Sequence, residues 1–232
     1  MKTIGLIGGM SWESTVTYYQ IINQTVKNRL GGLHSAKCLL YSVDFAEIER
    51  NMTAGDWQKN AEILAAAAVN LEKAGADFIV ICTNTMHKLA EQIQAAVSIP
   101  LVHIAEATAD ELKRNKLTKA ALLGTKYTMT QDFYKEKLIA CGIDVLIPEQ
   151  EDIETINSII FNELCLGRIS AEAKTSYLAI IEKLTRMGAQ GIILGCTEIG
   201  LLLNQNDTPA PLFDTTVIHA TKAALLATGS DS

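Results

Sequence analysis

The chain has no long apolar run. Its longest uninterrupted one, Ile63 to Val69, is mostly alanine and far too short to cross a bilayer, so no membrane partner is expected. It has no cluster of Lys and Arg, and a net charge of −6 repels polyanions, which argues against nucleic acid as a partner. Its five cysteines, Cys38, Cys82, Cys141, Cys165 and Cys196, show no C-x-x-C or Cys/His ligand spacing. Neither a disulfide framework nor a metal site is suggested, and reduced thiols are the default. Gly8-Gly9 belongs to no G-x-G-x-x-G pattern and no Walker lysine follows it, which excludes the common nucleotide loops. Met1-Lys2 runs straight into an apolar strand without a basic, apolar, small-residue leader, so a cytoplasmic location is expected.

What is present is ordinary globular composition, 48% hydrophobic and 20% charged over 232 residues. That length holds one large core or two of roughly 100 residues each. Strand-like and helix-like segments alternate throughout. "TIGLIGG" reads as a buried strand, then Ser11 or Ser14 as N-cap of a helix with Tyr19, Ile22, Val26 and Leu30 on one face. "KCLLYSV" is a second strand, followed through Asp44 by a long helical region with Trp57, Ala61, Leu64, Ala68 and Leu71 inward. "DFIVICT" is a third strand, a helix begins near Thr85, and "SIPLVHIAEAT" supplies a fourth short strand. From Lys119 come a strand "KAALLGT", a helix "TMTQDFYKEKLIACG", a strand "IDVLI", and a helix to about Leu164. A helix with Tyr177, Ile180, Leu184 and Met187 inward, the strand "GIILGC" and a last amphipathic helix "FDTTVIHATKAALLA" complete the chain. Strands separated by helices imply parallel sheets.

The second series repeats the first. "GLIGGMS" (5–11) matches "ALLGTKY" (121–127) at an offset of 116, and "GADFIVICTNT" (75–85) matches "GAQGIILGCTE" (188–198) at 113. The expected fold is α/β: two related doubly wound domains, each a short parallel sheet flanked by helices, with the site in the cleft where both sets of strand ends open. The expected domains are 1–104 plus 212–232, the last helix crossing back to the first half, and 105–211. The glycine and apolar matches pair Thr83, not Cys82, with Cys196. Matching "CT" with "CT" would slip a strand by one residue and turn every side chain to the other face.

"GGMS", "TNTMH", "LLGTxxTM…FY" and "GCTE", in this order along almost the whole chain, resemble the aspartate/glutamate racemase family. The resemblance implies two pseudo-twofold-related α/β domains, a homodimer, and racemisation of an amino-acid substrate without pyridoxal phosphate or any other cofactor. It also implies two cysteines flanking the substrate Cα as base and acid, of which the first stands directly before Asn-Thr; here that residue is Thr83. The family's second-half thiol faces the α-proton of L-substrates, which makes Cys196 the base for the L-enantiomer and Thr83 the group on the opposite face. The substrate expected is L-aspartate, L-glutamate or another polar amino acid.

The chemistry fits these residue types. Removing an α-proton needs a base on one face, a donor on the other, and oriented donors for the carbanion's carboxylate. Cys196 lies where a strand meets a helix N-terminus, which can bring a thiol's pKa towards neutrality. Glu198 opposes that unless it is protonated or holds the substrate ammonium. Thr83 is no unassisted base, but can donate a proton or relay one from water. Substrate contacts are expected from Gly9, Met10 and Ser11, from Asn84 and Thr85, from Thr125 and Thr128, and from Thr197 and Glu198. Aspartate-specific members hold the side-chain carboxylate with an arginine after the second strand and a lysine in the second half. The corresponding stretches here are "EIERNMT" and "NELCLGR", where Arg50, Met52, Cys165 and Arg168 are nearest.

Plainer readings stand beside these. Cys82, Cys38 and Cys141 are core or surface fillers; His87 is an early helix residue, His103 has a comparable claim to the cleft, and His34 and His219 are surface or core. The layout also resembles the arylmalonate decarboxylases, which keep only the second-half cysteine and protonate an enediolate after loss of carbon dioxide. A non-catalytic amino-acid-binding protein is the third alternative.

Overall fold

The computed structural model describes residues 1–229, and by internal contacts the chain divides into two compact units. The first comprises Met1–Ile104 and the chain from His219 onwards; residues 230–232, the end of the range expected for the first domain, lie outside the described residues. Its sheet is parallel, in the order β2-β1-β3, from β1 (Ile4–Gly8), β2 (Cys38–Ser42) and β3 (Phe78–Ile81). Helix α1 (Trp12–Leu30) starts at Ser11, whose hydroxyl accepts the Ser14 N–H. Its inward stripe is Tyr18, Ile22 and Val26. The expected Tyr19 and Leu30 instead point outward, Tyr19 being 54% exposed. Of two adjacent tyrosines the one at four-residue spacing from Ile22 is buried, and its hydroxyl bonds His219 Nδ1 at 2.8 Å.

The long helical region is two helices, α2 (Phe45–Thr53) and α3 (Trp57–Lys73). Gly55, with φ +75°, breaks them, and Asp56 caps the second by accepting the Lys59 N–H. A 3-10 turn (Thr85–Leu89) and α4 (Ala90–Ala95) follow β3. On one face of the sheet Ile4, Leu6, Phe78, Val80 and Cys82 pack with Tyr18, Ile22 and Val26, and with Ala220, Ala223, Ala224 and Ala227 of the chain's last helix. The expected fourth strand is reduced to one parallel bridge, Ile79 to Leu101, with Ile79 N–H donating to the Pro100 carbonyl.

The second unit is Ala105–Ile218. It holds most of α5 (Ile104–Arg114), then β4 (Lys119–Gly124), α6 (Lys126–Thr130), α7 (Asp132–Ala140), β5 (Asp144–Leu146), α8 (Gln150–Asn162), a 3-10 turn (Leu164–Leu166) and α9 (Ala171–Arg186). After these come β6 (Gly191–Gly195), α10 (Ile199–Leu202), β7 (Leu212–Asp214) and the start of α11 (Thr215–Ala227). The sheet is parallel, in the order β5-β4-β6-β7. Three expectations change. The helix expected through "TMTQDFYKEKLIACG" is broken at Gln131, whose backbone is extended. Met187 follows α9 as its C-cap and is exposed, while Tyr177, Ile180 and Leu184 are buried as expected. The last segment is a strand before it is a helix: Leu212–Asp214 pairs with β6, and Asp214 then caps α11 through the Thr216 and Val217 N–H groups.

That strand belongs to the repeat. Ile192 N–H donates to the Pro211 carbonyl and Ile192 pairs with Leu212, as Ile79 does with Pro100 and Leu101. "PLVH" and "PLFD" are therefore equivalent strand ends.

Candidate active site

In the first unit, β3 ends with alternating side chains. Val80 and Cys82 point into the core beneath α1, where burial pushes the Cys82 thiol pKa far up. Thr83 follows, half-buried, and its carbonyl accepts Nδ1–H of His87 at 2.8 Å. His87 Nε2 accepts the Ile104 N–H at 3.2 Å, so its two partners assign the proton to Nδ1. His219 has the other tautomer: Nε2–H donates to the Val102 carbonyl at 2.8 Å, and Nδ1 accepts the Tyr18 hydroxyl. The His87 ring lies 4.8 Å from His103 and 5.5 Å from His219, centroid to centroid. Burial, and then mutual repulsion with His103 and His219, holds the His87 pKa well below the ordinary histidine value; burial lowers that of His219 to about 4. His87 and His219 are neutral struts. The motif "TNTMH" hides this in its last letter, four residues beyond Thr83.

Beside them, at the end of β1, Gly9 has φ +93°, and an added Cβ would lie 2.2 Å from the Val43 carbonyl oxygen. Only glycine fits there. Its N–H donates to Thr15 Oγ1 at 2.8 Å, so this amide braces the loop rather than standing open to a substrate carboxylate. Met10, Ser11, Asn84 and Thr85 are buried around these two strand ends. On α2, Met52 is buried and Arg50 exposed.

In the second unit, Gly124 and Gly195 are paired at the ends of β4 and β6. A Cβ on either would lie 2.8 Å from a backbone oxygen of the neighbouring strand. This close approach sets Thr125 and Cys196 at adjacent strand ends. Thr125 caps α6 by accepting the Thr128 N–H, and the two hydroxyls lie 3.1 Å apart. Cys196 is 8% exposed, and its thiol donates to Glu198 Oε2 at 3.0 Å. The Thr197 hydroxyl donates to the same oxygen at 2.6 Å, and Glu198 is itself buried. Cys165, in the 3-10 turn, packs against the core cluster that contains Cys196 and Tyr177, whereas Arg168 is exposed.

The Cys196 pKa is raised well above the ordinary thiol value, first by burial and then by Glu198 and Cys165. The expected lowering by a helix N-terminus does not occur. Helix α10 has only 4 residues, and a helix end is worth about 0.3–1 kcal/mol, less than the cost of burying a thiolate. What the thiol has instead is a hydrogen-bonded carboxylate.

The two sheets keep one register. β1 and β3 pair Ile7 with Ile81, and β4 and β6 pair Leu123 with Leu194; offsets of 116 and 113 carry the first pair onto the second. Under those offsets Thr83 and Cys196 occupy equivalent positions, two residues beyond Ile81 and Leu194, and Cys82 is equivalent to Gly195. All five cysteines are free thiols. Among the described residues, no group of three or more His, Cys, Asp or Glu is placed to hold a metal ion, and no helix is long and apolar enough to cross a membrane.

Residues 7–223 match the family model described as Asp/Glu/Hydantoin racemase. The chain is 28% identical to the broad specificity amino-acid racemase RacX of Bacillus subtilis (strain 168), over 94% of each chain. Among solved structures, a provisionally named Asp/Glu racemase from Yersinia pestis is 56% identical, with a TM-score of 0.94 over 99% of this chain and 100% of the other. An aspartate racemase homologue from Pyrococcus horikoshii OT3 is 36% identical, with a TM-score of 0.87 over the same shares. With its two parallel sheets flanked by helices and a match running through almost all of both units, the chain belongs to the Asp/Glu/Hydantoin racemase family, as an isomerase of the amino-acid racemase type.

Proposed function

We propose that this protein racemises amino acids without a cofactor, by taking the α-proton of an L-substrate at Cys196 and returning a proton from the side of Thr83. The observation that carries this reading is the Cys196–Glu198 hydrogen bond of 3.0 Å. A thiol that is neutral at rest becomes a base by passing its proton to the carboxylate that already holds it. The thiolate then removes the α-hydrogen, and a carbanion delocalised into the substrate carboxylate remains. Thr83 supplies the proton on the opposite side of Cα, or relays it from water; its weak acidity makes that half-reaction the slower one.

Enantiomers have equal free energy, so kcat/KM must be equal in the two directions. A preference for L-substrates therefore shows as separate changes in kcat and KM, or as exchange at Cα with retention. The preferred substrates are L-aspartate, L-glutamate or other polar amino acids; the stretches that hold the side-chain carboxylate in aspartate-specific members carry Arg50 and Met52, then Cys165 and Arg168, here, and the loss of the paired cations argues against strict aspartate specificity. The domain boundary expected at 212 falls at His219, because Leu212–Asp214 is a strand of the second sheet; the protein acts as a homodimer in the cytoplasm.

The test is deuterium uptake at Cα from deuterated solvent across L- and D-amino acids. Uptake from acidic or polar L-substrates, abolished in Cys196→Ala, is expected; uptake unchanged in that variant removes the mechanism. The core position of Cys82 leaves one thiol at these strand ends, which also suits protonation of an enediolate. Carbon dioxide released from a substituted malonate, with no exchange on any amino acid, would decide for that alternative.

A further inference from the structure

Tyr177 belongs to the inward stripe of α9, is fully buried, and shares one packed cluster with Cys196. Its hydroxyl has no hydrogen-bond partner. A buried polar group in that state costs about 1–3 kcal/mol, and phenylalanine would fill the same space without the cost. After burial, Cys196, Cys165 and Glu198 are the groups that push the Tyr177 pKa well above the ordinary phenol value, so the hydroxyl keeps its proton. Three elements contribute these neighbours: the end of β6 brings Cys196 and Glu198, the 3-10 turn brings Cys165, and α9 brings the phenol.

Glu198 Oε2 already accepts from both Cys196 and Thr197. Once the thiol proton has moved to Glu198, the sulfur carries a negative charge in a buried cluster, and the Tyr177 hydroxyl is a donor committed nowhere else. We propose that Tyr177 is a positioning residue whose hydroxyl donates to Cys196 Sγ when the thiol has passed its proton to Glu198. The donor is idle in the resting state and engaged in the charged one, which favours the reactive form over the resting form. No bond other than S–H is broken: the proton goes to the carboxylate and the electron pair stays on sulfur. The proposal rests on the reading of Cys196 as the base.

Tyr177→Phe in the full chain tests it by two readouts. Peptide-resolved alkylation of Cys196 by iodoacetamide, followed against pH without substrate, should slow about tenfold at neutral pH, its rise displaced to higher pH. Deuterium uptake by the preferred L-substrate should fall about tenfold, its acid limb displaced the same way, as expected on losing a hydrogen bond to a charged group. Thermal stability should hold or rise, because an unpaired buried hydroxyl is gone. A merely structural tyrosine predicts the same stability with both pH profiles unmoved, and that result overturns the proposal. Should the variant fail to fold, 3-fluorotyrosine at position 177, a stronger donor of nearly the same shape, must move both profiles to lower pH; no movement overturns the proposal equally. Cys196→Ala run in parallel separates the two claims: uptake that survives it contradicts the catalytic reading, whereas the alkylation profile judges Tyr177 alone.

Discussion

The two strand ends at Thr83 and at Cys196 have one backbone plan and different chemistry. At Thr83 the turn is held by neutral imidazoles, His87 on the carbonyl and His219 between Tyr18 and Val102. At Cys196 it is held by a buried carboxylate that takes two hydrogen bonds on one oxygen. The first arrangement fixes geometry and carries no charge; the second can accept a proton. A repeat can thus keep its ladder register while its two copies diverge into an end braced by neutral rings and an end braced by a carboxylate.

Removing the acceptor should do the greatest damage to this contrast. Glu198→Gln keeps the shape but leaves the thiol without a base, and deuterium uptake by the L-substrate should fall about a hundredfold, within the range of lost acid–base catalysis. The histidines give the next effect, on stability. His219 binds its proton with a pKa of about 4 folded and near 6.5 unfolded, so the unfolded chain holds more protons between these values. The contribution is intact above pH 6.5, shrinks as pH falls through that window, and is lost on the order of 3 kcal/mol by pH 4. Urea titrations from pH 7 to 4 check it, and His219→Gln should flatten the slope. A gain comes third: Thr83→Cys should raise racemisation from both enantiomers about tenfold, measured by polarimetry, because a thiol is the stronger acid on that face. Cys82→Ala should matter least, leaving kcat/KM within about twofold and costing about 1 kcal/mol of stability as a small core truncation, by thermal unfolding.

Much of this was readable in the residues, and the failures have physical causes. The internal repeat announced both parallel sheets, because buried central strands such as β1 and β4 must be continuously apolar, and glycines such as Gly5 and Gly124 clear a neighbouring backbone. The equivalence of Thr83 with Cys196 rested on the same apolar matches and agrees with the ladder registers. Strand β7 was missed because three residues before a helix carry no period of their own; "PLFD" against "PLVH" was the available signal. Tyr18 lost to Tyr19 because adjacent identical residues leave the stripe undecided until His219, two hundred residues away, supplies the bond. The thiol's environment was misjudged because the length of α10 and the depth of burial are tertiary facts, invisible in "GCTEIG".

The central assignment is of one sulfur out of five. Deuterium incorporation at Cα of the preferred L-amino acid, timed side by side in the unaltered protein, Cys82→Ala and Cys196→Ala, examines it directly. The account predicts equal rates in the first two and none above background in the third; loss of exchange in Cys82→Ala with exchange intact in Cys196→Ala would contradict it.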